Sequence, residues 1–233
     1  MSANVTGAMN ITLSILSCFN FTSQRISETF AYCLQFVVSL VGNALIGLIV
    51  YKTKILRKPT NFFIVNMAMS DLLYPIFLFP RDLERLHIDI QPWLIGGPLD
   101  QVLCKLIHFA MDVSSTISIQ SLVLIAVDRF VAEVFPIRSP LISSKHCRFY
   151  ILATWIIALA VWCPNLLVYT LVEYPTKQYC MPQWNGAFDD FKSFLDYNIA
   201  WCVVLLYVTL ALMSILYFVI ALKRLNERFH SQV

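Results

Sequence analysis

Ser118-Ile119-Gln120-Ser121-Leu122-Val123-Leu124-Ile125-Ala126-Val127-Asp128-Arg129-Phe130 ends an uncharged run that begins at Val113, and Val134-Phe135-Pro136 follows it. An acid and an arginine therefore stand together where an apolar stretch stops. A charged side chain costs roughly 2.5 to 3.5 kcal/mol at the centre of a bilayer and less at its interface. The pair marks either an anchoring charge or a functional ion pair.

Outward from this stretch the chain keeps the same character. Leu106 to Val127 carries Asp112 as its one acid, and Thr60 to Pro80 carries only Asp71. Thr29 to Tyr51, Phe149 to Val172 and Tyr197 to Leu222 hold no Asp, Glu, Lys or Arg. Each run reaches the roughly 20 residues that cross about 30 Å of hydrocarbon as a helix. With 58% hydrophobic and 13% charged residues and a mean hydropathy of +0.69, the composition is that of a membrane chain rather than a soluble domain with one anchor. The expectation is an all-α, polytopic bundle of five helices at about 29–51, 60–80, 103–134, 149–172 and 197–222. Residues 1–28 precede that bundle (29–222) as an outer segment, and 223–233 open an inner loop.

Charge sets the orientation. Lys52, Lys54, Arg57 and Lys58 follow the first span, Arg129, Arg138, Lys145 and Arg148 flank the second inner loop, and Lys223, Arg224 and Arg228 follow the fifth. Basic loops stay cytoplasmic. Most acids fall on the other side: Glu28, Asp82, Glu84, Asp89, Asp100, Glu173, Asp189, Asp190 and Asp196. The net charge of +3 is accounted for by topology and implies no nucleic-acid partner. Sequons at Asn4, Asn10 and Asn20 all precede the first span, where an extracellular N-terminus is open to glycosylation. No basic region precedes an apolar core there, so the first span is read as a signal anchor, with the mature chain beginning near Met1.

The seven cysteines show no zinc spacing and no C-x-x-C pair. Cys104 and Cys180 both face the oxidising side and are candidates for a disulfide, with Cys18 the other clearly outer thiol. Closing a loop of roughly 75 residues would contribute about 4 to 5 kcal/mol in the chain-entropy model. Cys33, Cys163 and Cys202 read as packing residues within spans, and cytoplasmic Cys147 as a candidate for palmitoylation.

Ser118, Ser121, Leu122, Ile125, Ala126, Asp128, Arg129 and Phe130 fit the third-helix pattern S-x-x-S-L-x-x-I-A-x-D-R-[YF]. On this pattern the chain resembles rhodopsin-like (class A) G-protein-coupled receptors, and the likeness runs from Gly42 to Ile220. The second span matches N-x-x-x-x-N-L-A-x-x-D-L-L through Asn61, Asn66, Ala68, Asp71, Leu72 and Leu73, with Met67 in place of leucine. Gly42-Asn43 in the first span, Trp155 and Pro164 in the fourth, Pro80 in the second and Trp93-Leu94-Ile95-Gly96 in the first outer loop match as well.

The resemblance implies roles. Asn43 and the Asn66–Trp155 pair would join helices, and Pro80 and Pro164 would kink theirs. Asp71 with Ser118 would form part of a sodium site; the plainer alternative is an Asp71 bonded to Asn43 and water, and two oxygen-bearing groups are far from the about six donors a hard cation takes. No other metal or cofactor is expected. Asp128 would hold Arg129 at rest, and on release Arg129 and Tyr217 would shape a cytoplasmic cavity for a heterotrimeric G protein, with Phe130 and Pro136 beside it. Thr209 stands where family members carry a proline, which weakens the expectation of a helix bulge there.

In amine receptors the ligand-binding acid lies seven residues after the loop cysteine, a position held here by Met111, with Asp112 about 100° of helix turn away. The fifth span has Ala200, Trp201, Cys202 and Val203 where those receptors carry serines. The resemblance is thus closest to peptide-type members, and Met111 and Asp112 are candidate ligand contacts.

The sequence carries no C-W-x-P or N-P-x-x-Y of a sixth and seventh helix. Two readings follow: a plasma-membrane peptide receptor lacking those helices, or a five-span, non-signalling product that associates with full-length receptors as an oligomer and is retained in the endoplasmic reticulum. A transporter or channel would need a run of intramembrane charges or paired broken helices. No nucleophile–base set suggests an enzyme.

Overall fold

The computed structural model describes residues 2–87, 98–135, 144–174, 177–183 and 190–231, with described side chains beginning at Thr22. The loop around Trp93, the segment containing Pro136, and the side chains of Asn4, Asn10, Asn20 and Cys18 lie outside the described residues. Five helical segments are long and apolar enough to cross a membrane: Thr22–Lys52, Pro59–Pro80, Pro98–Val134, His146–Val168 and Lys192–Phe229.

The first lies in α1 (Ser2–Lys52), which is continuous through the residues expected to form an outer segment. The second is built from α2 (Pro59–Asp71) and α3 (Leu73–His87). Their break at Leu72 has a local cause: Pro75 has no N–H to return to the carbonyl of Asp71, one turn earlier. Pro80, expected to kink this span, sits inside α3 without ending it.

The third span is α4 (Pro98–Val134), which packs against α2, α3, the fourth span and the fifth. Its apolar window is 39% buried, against 6% for the first and fifth spans, which makes α4 the axis of the bundle. The fourth consists of α5 (Ser144–Trp162) and the short α6 (Asn165–Val168), separated at Cys163 and Pro164. It stops short of the expected residue 172, because Tyr169–Tyr174 leaves the helix as strand β1 and pairs antiparallel with β2 (Lys177–Pro182). β-Branched and aromatic residues in β1 favour that exit.

The fifth span runs through α7 (Asp190–Cys202), a π-helical segment Val203–Val208, and α8 (Thr209–Ser231). A helix bulge is therefore present although Thr209 replaces proline. The wider i→i+5 turn does not depend on a missing N–H.

Two apolar clusters hold the bundle. Val113, Ile117, Ala158 and Trp162 pack in the outer half with Tyr197 and Trp201 against them, and Phe63 with Cys147 packs at the inner end. Cys147 is 1% exposed, its thiol directed at the Pro59 carbonyl, which removes it from a surface where palmitoylation could occur. Cys33, Cys163 and Cys202 are exposed on the bundle instead of packed within it.

Candidate functional site: an outer cavity and an inner switch on one helix

Candidate site residues collect at three levels of α4, from the disulfide-bearing end, taken as outer, to the Asp128 end, taken as inner. At its outer end Cys104 and Cys180 form a disulfide with Cα atoms 5.7 Å apart, linking positions 76 residues apart. This fastens the β1–β2 hairpin over the bundle. Gln101 adds to the attachment: its Oε1 accepts from the Leu171 amide at 2.9 Å and its Nε2 donates to the Tyr169 carbonyl at 3.4 Å. Tyr169 stacks on His108, with centroids 4.0 Å apart, and meets Phe194 edge-on. Burial, and after it the Asp112 carboxylate, push the Tyr169 phenol up to about 12.

A cavity of about 350 Å³ opens between α4, the fourth span and the fifth. Asp112, Ser115, Trp162, Asn198, Leu205 and Leu206 are on its wall. Asp112 faces it, and Asn165 Nδ2 donates to Asp112 Oδ2 at 2.6 Å. The turn at Cys163 and Pro164 puts Asn165 at the start of α6, buried and close to α4. Met111, one residue before Asp112, is 42% exposed and not part of this wall. Trp162 Nε1 donates to Thr116 Oγ1 at 2.6 Å, and the Tyr197 hydroxyl donates to the Val161 carbonyl.

At mid-depth, polar side chains form a column. Ser118 Oγ donates to Asp71 Oδ1 at 2.5 Å and lies 3.0 Å from Ser70 Oγ, while Ser114 donates to the Ser70 carbonyl at 2.9 Å. Asn43 does not join this column; its amide turns back to Ser39 Oγ at 3.4 Å within α1. Nearer the inner end, Trp155 Nε1 donates to Asn66 Oδ1 at 2.8 Å, and Asn66 Nδ2 donates to Ser121 and Thr154 at 3.0 and 3.2 Å. One amide thereby joins three spans with its acceptor and donor both used.

At the inner end Asp128 Oδ2 accepts from Thr60 Oγ1 of α2. Among the described residues Asp128 forms no ion pair with Arg129, the arrangement expected from sequence. Consecutive residues on a helix point about 100° apart, and Thr60 lies on the side that Asp128 faces. Arg129 is exposed, Tyr217 is 50% exposed, and Phe130 meets Phe135 edge-on at 6.3 Å. Lys223 Nζ donates to the carbonyls of Glu133 and Val134, the last turn of α4, and Arg224 pairs with the Glu133 carboxylate. These contacts fix the inner ends of the third and fifth spans to each other.

Thr60, Asn165, Glu133 and Lys223, which make these contacts, were not among the residues expected from sequence. Asn165 carried a signal, since an amide inside an apolar run must find a partner on another helix. Thr60 and Lys223 carried none, because both look like ordinary boundary residues.

Comparison with known proteins agrees with this arrangement. The family described as 7 transmembrane receptor (rhodopsin family) matches residues 42–232. Neuropeptide FF receptor 1 of Homo sapiens is 35% identical over 174 residues, 74% of this chain and 38% of the receptor. The QRFP-like peptide receptor of Branchiostoma floridae is 32% identical over 197 residues, 82% of this chain and 49% of that protein. The RYamide receptor of Drosophila melanogaster is 34% identical over 133 residues, 57% and 27% of the two chains. The chain thus spans less than half the length of each of these relatives. A multi-pass membrane protein, the chain belongs to the rhodopsin family of seven-transmembrane receptors, with peptide receptors among its relatives.

Proposed function

We propose that this chain is the ligand-side and switch-bearing portion of a peptide receptor of the plasma membrane. Its N-terminus and β-hairpin are extracellular and the end of α8 is cytoplasmic. What supports the reading is that the cavity at Asp112 and the Asp128-Arg129 dipeptide lie on one helix, α4, the most buried of the five spans. An extracellular peptide entering beneath the hairpin would bias the arrangement of α4 against α8, and Arg129, Tyr217, Phe130 and Pro136 would report that bias to a heterotrimeric G protein. The names of the relatives support a peptide ligand. Basic residues after the first span and on α8 support the orientation, with the disulfide at the opposite end.

Asp71, Ser118 and Ser70 form an oxygen cluster suited to a hard cation such as sodium. They supply three of the about six oxygens such an ion takes. The cluster is the chain's share of a sodium site, and Asn4, Asn10 and Asn20 are the proposed glycosylation sites.

The reading is tested by nucleotide exchange on G proteins in membranes bearing the chain joined to helices six and seven of neuropeptide FF receptor 1. Peptides of the neuropeptide FF, QRFP and RYamide types are the stimuli. Stimulated exchange is expected. A silent chimera that reaches the surface, while the chain alone lowers the surface level of an intact receptor, would instead support the associating-product reading.

A further inference from the structure

We infer that a second cavity, open on the outside of the bundle, takes a small uncharged molecule from the membrane, mostly apolar and with one hydrogen-bond donor near its middle, which the Gln120 carboxamide accepts. The inference is independent of the receptor reading. The cavity measures about 300 Å³ and lies between α4, α5 and the fifth span. Ile119 and Leu205 line both this cavity and the one at Asp112, and so separate the two. Tyr150 and Ile157, 37% and 49% exposed, form its rim on the surface where a membrane chain meets lipid.

Gln120 gives this cavity its chemistry. Its Oε1 is buried and has no hydrogen-bond partner among the described residues. Tyr150, Thr154 and Thr209 put hydroxyls on the same wall, and none of them reaches it. Thr154 is already committed, since its Oγ1 donates to the Ile151 carbonyl at 2.7 Å and accepts from Asn66 at 3.2 Å. A buried oxygen without a donor is costly, and lipid tails carry no N–H or O–H to relieve it. A lone water is a poor occupant, because buried waters take about three polar partners. Val123, Leu124 and Ala153 make the remaining wall apolar, which calls for an apolar body around the donor.

Depth narrows the class of ligand. Gln120 stands eight residues before Asp128 and sixteen after Cys104, about 12 and 24 Å along the helix. The acceptor therefore lies within the hydrocarbon, below the level at which a sterol hydroxyl or a glycerol backbone is held by the headgroups, and at a depth unfavourable to a charged group. A volume of about 300 Å³ is at the small end of ligand sites and suits a molecule the size of a diaryl amide.

The test uses the purified chain in detergent micelles and two neutral probes of similar shape. Benzanilide donates one central N–H, and phenyl benzoate, the corresponding ester, donates none; binding is read by saturation-transfer NMR. Benzanilide is expected to bind about fivefold more tightly, the size of one neutral hydrogen bond. Gln120→Leu should reduce benzanilide to the level of the ester and raise the melting temperature of the ligand-free chain, because it removes an unsatisfied amide. A lower melting temperature would mean that the amide bonds a neighbouring helix, and would overturn the inference. Ala153→Phe, which fills the cavity, should abolish binding of both probes and so separates the site from partition into the micelle. Excess cholesterol should leave benzanilide bound. Equal affinities of the two probes, a preference that survives Gln120→Leu, binding that survives Ala153→Phe, or displacement by cholesterol would each overturn the inference. The comparison of probes on the unmodified chain decides it even where Ala153→Phe fails to fold.

Discussion

Trp155 Nε1 donates to Asn66 Oδ1 at 2.8 Å, and the same Asn66 amide donates onward to Ser121 and Thr154. Buried polar groups in a membrane bundle find partners on neighbouring helices because lipid offers none. Asn66→Ala would leave the indole and two hydroxyls without their partner. With interhelical bonds contributing about 0.6 to 1.7 kcal/mol each, a loss of about 2 to 3 kcal/mol is expected, read as a lower melting temperature in micelles. Trp155→Phe, which removes one donor, should lower it less.

The disulfide makes a symmetric prediction. Cys104→Ser and Cys180→Ser should impair surface expression and melting temperature to the same degree, and the double variant should add nothing, because either change opens the same 76-residue closure. The expected loss is about 2 to 5 kcal/mol. Unequal single effects would mean that one cysteine acts in a second way.

Lys223 and Arg224 are adjacent and differ in what they touch. Lys223 reaches two carbonyls at the end of α4, where the helix dipole is negative, while Arg224 pairs with an exposed carboxylate. Lys223→Met should cost about 0.3 to 1 kcal/mol and separate the inner ends of α4 and α8, measured as a longer distance between spin labels there. Arg224→Ala should change neither melting nor distance appreciably, since exposed pairs contribute little.

Thr60 donates to Asp128, which among the described residues forms no ion pair with Arg129. In the completed receptor, Thr60→Val keeps the volume and removes the hydroxyl, freeing the carboxylate to pair with the adjacent guanidinium. Basal nucleotide exchange is expected to fall while peptide affinity stays the same. Unchanged basal exchange would mean that the Thr60 bond does not regulate Arg129.

Much of this molecule was legible before its structure. The fold class was readable because a bilayer demands uncharged runs of fixed length, and five helices long and apolar enough to cross one are present. Motif positions such as Asn66, Trp155, Asp71 and Ser118 carried their partners with them through the family likeness. The π segment at Val203–Val208 was not legible, because it depends on how a helix meets its neighbours, whereas the break at Leu72 and the exit into β1 at Tyr169 had local signals, Pro75 and a run of β-branched and aromatic residues, that went unread. Asp128 illustrates the limit well. Its neighbour in sequence suggested the partner, yet helix geometry turned it toward Thr60, a residue 68 positions away.

In the proposed receptor, Arg129 transmits what the outer cavity senses. The most direct measurement is peptide-stimulated nucleotide exchange and peptide binding, side by side, in the completed receptor with Arg129 intact and with Arg129→Ala. Loss of stimulated exchange with peptide binding retained is the predicted result. Normal exchange in the Arg129→Ala receptor would exclude Arg129 from the transmission.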